Sequence, residues 1–174
     1  MPEPLQPLRI FRALTRQRVE YVLIGGLAAV LHGAPLVTQD ADICPRRTPE
    51  NLERLAAALK AMGARIRAAH EPDGLAFRSD AAFLSNMAMV NLTTRFGDFD
   101  ISFSPAAFTS GYDDLVENAV MFNIEGIPVS VAALSDIISS KQSANRAKDH
   151  AALPLLYALE DEIAAREARG ERGR

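Results

Sequence analysis

Four consecutive apolar residues, Tyr21 to Ile24, stop at the glycine pair Gly25-Gly26. The run is rich in strand-forming residues, which predicts a buried strand. Leu27 to His32 is compact and rich in alanine, and it predicts a short helix. Asp40 to Cys44 then alternates polar and apolar residues, as a half-buried strand does. A strand, a glycine turn, a short helix and a second strand within 24 residues indicate an α/β fold.

Patterns along the rest of the chain predict further elements of both kinds. Helices are predicted at Leu5–Arg18, from a Thr48 cap to Met62, at Gly111–Ala119, from a Ser135 cap to Lys141 and at Asn145–Leu153. Strands are predicted at Ala64–Ala68, Met87–Thr94, Phe99–Phe103, Met121–Ile124 and Pro128–Val131. Turns are predicted at Gly97-Asp98 and Glu125-Gly126, and an exposed loop at His70–Ser79. Pro154 is expected to kink or restart the last helix.

The chain of 174 residues has neither an internal repeat nor a linker, and this length suits one domain. We predict a single α/β (α+β) domain over residues 1–168, with a mixed sheet, flanking helices and a C-terminal helical segment. The glycine and charged residues of 169–174 predict a disordered tail.

Composition excludes several classes of protein. The net charge of −3 argues against a surface devoted to nucleic acid. The single cysteine, Cys44, suits a reducing compartment. No apolar run approaches the roughly 18 residues that a membrane span needs, and the N-terminus lacks the pattern of a secretory signal. We therefore expect a soluble cytoplasmic protein that does not associate with membranes.

Asp40 and Asp42 are the strongest candidates for chemistry. On a strand, residues i and i+2 share a face, so the two carboxylates lie side by side. Such a pair repels itself unless a cation lies between the two groups, and hard oxygen ligands suit Mg²⁺. The Gly25-Gly26 junction lets the backbone approach a phosphate closely. Taken singly, Asp-x-Asp is also compatible with a solvated strand end, and Gly-Gly with an ordinary turn.

The order of these features resembles the opening motif of the polymerase β-like nucleotidyltransferase superfamily. The matching residues are Gly25, Gly26, His32-Gly33, Thr38, Asp40 and Asp42. Among its members, the chain is most similar to small bacterial proteins related to the abortive-infection type nucleotidyltransferases of toxin–antitoxin systems. The superfamily has a third carboxylate on a later strand, and Asp100 matches it. Asp98 is then a turn residue, or alternatively the third ligand itself.

A second resemblance lies near the C-terminus, where Lys141, Arg146, Lys148 and Asp149 form the pattern K-x4-R-x-K-D. Small members of the group carry a similar stretch on a late helix. The resemblance implies that Lys141 or Lys148 neutralises triphosphate charge, with Arg146 also binding nucleotide, and that Asp149 orients a lysine. A solvated helix carrying an ion pair is the alternative.

The resemblance implies transfer of a nucleoside monophosphate from a nucleoside triphosphate to a hydroxyl acceptor. Asp40 and Asp42 would hold two Mg²⁺ (or Mn²⁺) ions. Asp100 would hold the metal at the attacking hydroxyl and help to deprotonate that hydroxyl. Gly25, Gly26 and Thr38 would contact the nucleotide. The acceptor is left open between a tRNA end, a protein hydroxyl and a small molecule such as an antibiotic.

The sequence departs from the family pattern at two positions. Gly26 stands where many active members have serine, and Leu36 where relatives often have arginine. A second hypothesis is therefore a non-catalytic module that senses nucleotide or binds a partner protein, such as one half of a toxin–antitoxin pair.

Overall fold

The computed structural model describes residues 3–170. Within this range helices and strands alternate along the chain in the order α1 (Pro7–Arg16), β1 (Tyr21–Ile24), α2 (Gly25–Leu31), β2 (Asp40–Pro45), α3 (Pro49–Ala61), β3 (Arg65–Ala68), β4 (Glu71–Leu75), α4 (Ala81–Ser85), β5 (Met89–Thr94), β6 (Gly97–Ser102), α5 (Tyr112–Val116), β7 (Val120–Ile124), β8 (Ile127–Val131), α6 (Leu134–Ala144) and α7 (Ala147–Ala168).

The eight strands of the described residues form one mixed sheet in the order β4-β3-β5-β6-β2-β1-β8-β7. The central pairs β2/β6 and β1/β8 are parallel, and the other neighbours are antiparallel. The predicted mixed-sheet α/β class is confirmed. The parallel pairing of β2 with β6 is what brings two acidic strands side by side.

The two faces of the central strands have opposite character. Ala41 and Ile43 on β2, and Phe99 and Ile101 on β6, alternate with the acidic residues and are fully buried. They join the same apolar core as the buried side chains of α1 and α3. The apolar face fixes the register, because a slip of one residue would move the whole apolar set to the other side. The acidic side chains therefore face away from this core.

Several local signals predicted the right structure. Thr48 caps α3, where its hydroxyl accepts a hydrogen bond from the backbone N–H of Asn51 at 3.3 Å. The hairpin between β7 and β8 turns at Glu125 and Gly126, which have φ of 49° and 83°. Two successive left-handed residues are typical of the tight hairpin turn whose twist matches the flanking strands.

Two predictions in the middle of the chain are wrong. Residues 71–75, expected in a loop, form the edge strand β4, which pairs with β3 across an irregular register. Most of β4 is exposed, so the apolar alternation that indicates a strand is missing from its sequence. The turn expected at Gly97-Asp98 lies earlier, since both residues already pair within β6. Thr94 stabilises the actual turn, because its hydroxyl accepts from the N–H of Phe96 and donates to the carbonyl of Gly97.

Predictions for the C-terminal helices also need correction. Ala133, rather than Ser135, precedes the first turn of α6, and Asn145 ends that helix in the left-handed conformation instead of opening the next one. Helix α7 continues through Pro154 without a break. Ala152 and Leu156 are buried on either side of Pro154. The short helix α4 was not predicted.

The predicted tail begins where Arg169 closes α7, and residues 171–174 lie outside the described residues. The domain boundary at 168 stays a prediction. Within residues 3–170, no helix combines the length and the hydropathy that crossing a membrane requires.

Candidate active site

The carboxylate cluster forms where β1 ends and β2 begins. Ile24, the last residue of β1, pairs with Asp42. Gly25 follows with a φ of +72°, and a Cβ at this position would clash with the carboxylate of Asp42. Glycine is therefore required twice over, by its backbone conformation and by the acid beside it.

Three acidic residues converge on one face of the sheet. Asp40 and Asp42 lie two residues apart on β2, and Asp100 lies opposite Asp42 in the parallel register with β6. One oxygen from each carboxylate lies within 4.8 Å of the others, and each residue is partly exposed. The structure thus brings together the three acids that the sequence singled out. Asp98 pairs with Asp40 in the register but does not join this group.

Thr38 supports the cluster from the segment before β2. Its hydroxyl lies 3.0 Å from the backbone carbonyl of Asp40 and 3.2 Å from Oδ1 of the same residue. A Cβ at Gly26 would lie 3.1 Å from this hydroxyl. The hydroxyl of Thr38 therefore lies close to the position that a side chain at residue 26 would occupy.

Sequence reasoning missed a cation in the site, Arg67 on β3. Its Nη1 donates to Oδ2 of Asp98 at 2.6 Å, and its Nη2 donates to both oxygens of Asp100 at 2.6 and 2.7 Å. The side chain of Arg67 is 32% exposed and that of Asp100 17% exposed. Since β5 lies between β3 and β6, the side chains of Arg67 and its two aspartates together bridge two strand spacings, roughly 10 Å. The acids of β6 thus have their own counter-ion.

The acids of β2 are less well neutralised. Burial, together with the charges of Asp40 and Asp100, raises the pKa of Asp42 to about 7. Lys148 and Lys141 oppose this increase through their positive charges. Burial also raises the pKa of Asp100, but the guanidinium of Arg67 works against that shift. The cluster is therefore a place where an additional cation would be strongly favoured.

The basic stretch predicted near the C-terminus is ordered around a buried acid. Asp149 is fully buried in the first turn of α7, and its carboxylate accepts from the backbone N–H and from Nε of Arg146, the latter at 2.8 Å. The Nζ of Lys141, whose side chain is 14% exposed, lies 3.4 Å from the other carboxylate oxygen. Although burial works to raise the pKa of Asp149, the hydrogen bonds from Arg146 lower it below the ordinary value. Asp149 thus contacts two cations, and the orienting role predicted for it stays a prediction.

These groups line one open cavity of about 790 Å³. Its walls include all the residues that the sequence assigned to catalysis and nucleotide binding: Gly25, Gly26, Thr38, Asp40, Asp42, Asp100, Lys141, Arg146 and Lys148. Lys148 makes no ion pair within residues 3–170. Carboxylates and cations therefore line the same cavity. The catalytic and binding roles of these residues stay predictions.

Solved structures of other proteins share the fold of this chain. Neither the protein-family models nor the curated proteins contain a match to this sequence. Among solved structures, the lincosamide antibiotic adenylyltransferase LnuA, bound to lincomycin, is 15% identical, covering 90% of this chain and 99% of its own, with a TM-score of 0.58. The antibiotic-resistance factor ANT(2″)-Ia is similar in two structures. Its solution structure is 15% identical over 94% of this chain and 92% of its own, with a TM-score of 0.53. Its complex with adenylyl-2″-tobramycin is 17% identical over 93% of this chain and 95% of its own, with a TM-score of 0.53. At these identities the likeness establishes the architecture, and the chain has the fold of these nucleotidyltransferases.

Proposed function

We propose that this protein transfers a nucleoside monophosphate from a nucleoside triphosphate to a hydroxyl acceptor. The observation that carries the proposal is the convergence of Asp40, Asp42 and Asp100 within 4.8 Å, in one cavity that Lys141, Arg146 and Lys148 also line. A triphosphate is an anion that needs both cations and a site for divalent metal, and this cavity offers both.

The donor set fits Mg²⁺ or Mn²⁺. Three carboxylates supply hard oxygen ligands, and within residues 3–170 Asp40 and Asp42 have no ion-pair partner. Asp40, Asp42 and Asp100 would hold the metal. Divalent cations bound there would polarise phosphoryl oxygens and lower the cost of the negative charge that develops during transfer.

The side chains have separate tasks in the reaction. The acceptor oxygen forms a bond to the α-phosphorus as the bond from that phosphorus to the pyrophosphate oxygen breaks. The hydroxyl proton passes to the carboxylate of Asp100, which Arg67 holds in place, and then to water. Lys141 and Lys148 balance charge on the departing pyrophosphate, and Asp149 keeps Lys141 directed into the cavity.

Labelling tests the proposal directly. The protein is incubated with Mg²⁺ or Mn²⁺ and each nucleoside triphosphate labelled at the α-phosphate, together with tRNA, protein extract or antibiotics of the aminoglycoside and lincosamide classes. We expect one acceptor class to become labelled and pyrophosphate to be released, and we expect Asp42→Asn to abolish both.

The same experiment separates the alternative function. If triphosphate binds in a metal-dependent manner but no acceptor is labelled and no pyrophosphate appears, the chain is a non-catalytic nucleotide-binding module, such as one partner of a toxin–antitoxin pair. If no triphosphate binds in the presence of metal, both versions are wrong.

A further inference from the structure

A second, smaller cavity of about 230 Å³ adjoins the carboxylate site. The two cavities share Gly25, Asp42, Lys141 and Arg146 among their lining residues, so a single ligand can occupy both. A pocket for a complete drug-sized ligand typically measures about 300–1,000 Å³. The smaller cavity therefore suits one ring system, with the rest of the ligand lying among the carboxylates and cations.

The walls of this smaller cavity, called the chamber below, are mainly apolar. They include Ile24 at the end of β1, Pro105 and Phe108 in the segment after β6, Leu115 of α5 and Ile137 of α6. Apolar walls suit the faces of an aromatic ring, whereas a polyhydroxylated sugar would lose hydrogen bonds to water in such a chamber. The chamber thus favours a nucleobase over an aminoglycoside ring.

Asp136 supplies a buried acidic group. It lies in the first turn of α6 and is only 8% exposed. Within residues 3–170 its carboxylate accepts one side-chain hydrogen bond, from Nδ2 of Asn118 to Oδ2 at 3.5 Å, the outer limit for such a bond. A carboxylate offers about four lone-pair sites, so most of the accepting capacity of Asp136 is unused.

The helix sets the distance between this acid and the phosphate site. Asp136 and Lys141 both line the chamber from α6, and five residues of helix separate them by about 7.5 Å along the axis. Lys141 also lines the carboxylate cavity. A nucleotide with its phosphates beside Lys141 can therefore extend its base toward Asp136.

We propose, on the basis of the proposed function, that this chamber binds the base of the nucleoside triphosphate and that Asp136 selects guanine. Proteins identify an exposed base through hydrogen bonds to its Watson–Crick edge. Guanine presents two adjacent donors on this edge, the ring N1–H and the 2-amino group, and these match the two oxygens of a carboxylate. Adenine and cytosine place one amino donor beside a ring nitrogen that accepts, and uracil places one N–H between two carbonyls. Each of these three bases would bring a lone pair against a buried carboxylate oxygen, which is unfavourable.

Calorimetric titration with α,β-methylene triphosphates in millimolar Mg²⁺ tests this selection without turnover. For the unaltered protein we expect the guanosine compound to bind roughly tenfold or more tightly than the adenosine and inosine compounds, since a good bidentate contact discriminates by about this factor. The inosine comparison removes only the 2-amino group and needs no variant.

Asp136→Asn provides the second arm. An asparagine amide can donate to the 2-oxo group of xanthine, so the variant should lose guanosine affinity and gain affinity for the xanthosine compound, whereas the control Asp113→Asn should change neither. Asp113 lies on α5 and does not line the chamber. Equal binding of all bases by the unaltered protein, or an unchanged preference in Asp136→Asn, would overturn the selection by Asp136 and leave the proposed transferase function standing. If none of these compounds binds, the proposed function itself is wrong.

Discussion

Replacing Arg67 with methionine tests whether the acids of β6 depend on this cation. The guanidinium makes three charge-assisted hydrogen bonds at 2.6–2.7 Å, one to Asp98 and two to Asp100. Methionine retains an unbranched apolar side chain, as in the aliphatic part of arginine, but removes all three hydrogen bonds and the positive charge. Two neighbouring carboxylates then face each other without a partner.

The expected cost follows from these contacts. A hydrogen bond to a charged group contributes about 1.5–3 kcal/mol, and a buried ion pair costs more to break than an exposed one. Because the side chain of Arg67 is 32% exposed, solvent screens part of the interaction. We therefore expect a total loss equal to that of a single such hydrogen bond, about 1.5–3 kcal/mol. For a chain of 174 residues, roughly 2–4 °C per kcal/mol gives a melting temperature lower by roughly 3–12 °C.

Divalent metal should reverse this loss. A cation bound by Asp100 replaces part of the charge that Arg67 provided, so Mn²⁺ should raise the melting temperature of Arg67→Met by more than it raises that of the unaltered protein. Thermal melts with and without millimolar Mn²⁺ measure both effects. Arg78→Met is the matched control, because Arg78 is 88% exposed and its loss should leave the melt nearly unchanged. The reasoning is refuted if Arg67→Met melts like the unaltered protein, or if Mn²⁺ stabilises it less.

Three further predictions test the remaining parts of the site. Burial and neighbouring carboxylates raise the pKa of Asp42 to about 7, so the folded state holds this proton more tightly than the unfolded chain. Without metal, the free energy of unfolding should therefore fall as pH rises from about 4 to about 7. Thermal melts of Asp42→Asn should lack this fall. Lys141→Ala and Lys148→Ala should each weaken triphosphate binding by calorimetry while leaving Mn²⁺ binding nearly intact, and unchanged triphosphate affinity in both would show an ordinary helix surface. Gly25→Ala should abolish Mn²⁺ binding because its Cβ meets the carboxylate of Asp42, whereas Gly126→Ala, which has a comparable positive φ but open space, should retain it.

The parts of the site that a short segment defines could be predicted from sequence. The spacing of Asp40 and Asp42 on one strand fixes a shared face, and the apolar run before Gly25 identifies the strand that ends beside them. The family resemblance also implied that Asp149 orients a lysine, and Asp149 contacts Lys141, eight residues away, across the junction of α6 and α7. In each case the relevant distance is set by one element and its immediate neighbours.

Arg67 could not be predicted in this way. Its partners lie 31 and 33 residues away in sequence, and the contact exists only because β3 pairs with β5 and β5 with β6. The alternation of Arg65-Ile66-Arg67-Ala68 indicated a strand, but nothing local showed where that strand enters the sheet. The same limit explains β4, whose pairing with β3 depends on a close backbone approach at Gly74, where a Cβ would lie 2.8 Å from the carbonyl of Ile66.

The distribution of cations bears on where a metal would be held most strongly. Arg67 already neutralises charge on β6, through Asp98 and Asp100, while the pKa of Asp42 on β2 remains near 7 despite the positive charges of two lysines. Within residues 3–170, Asp40 and Asp42 make no ion pair, whereas Asp98 and Asp100 do. Because a divalent ion gains most where carboxylates are least neutralised, we expect the first ion to bind at Asp40 and Asp42, and any ion at Asp100 to compete with Arg67. The protein's own cation thus makes the two sides of the carboxylate cluster unequal before any nucleotide enters.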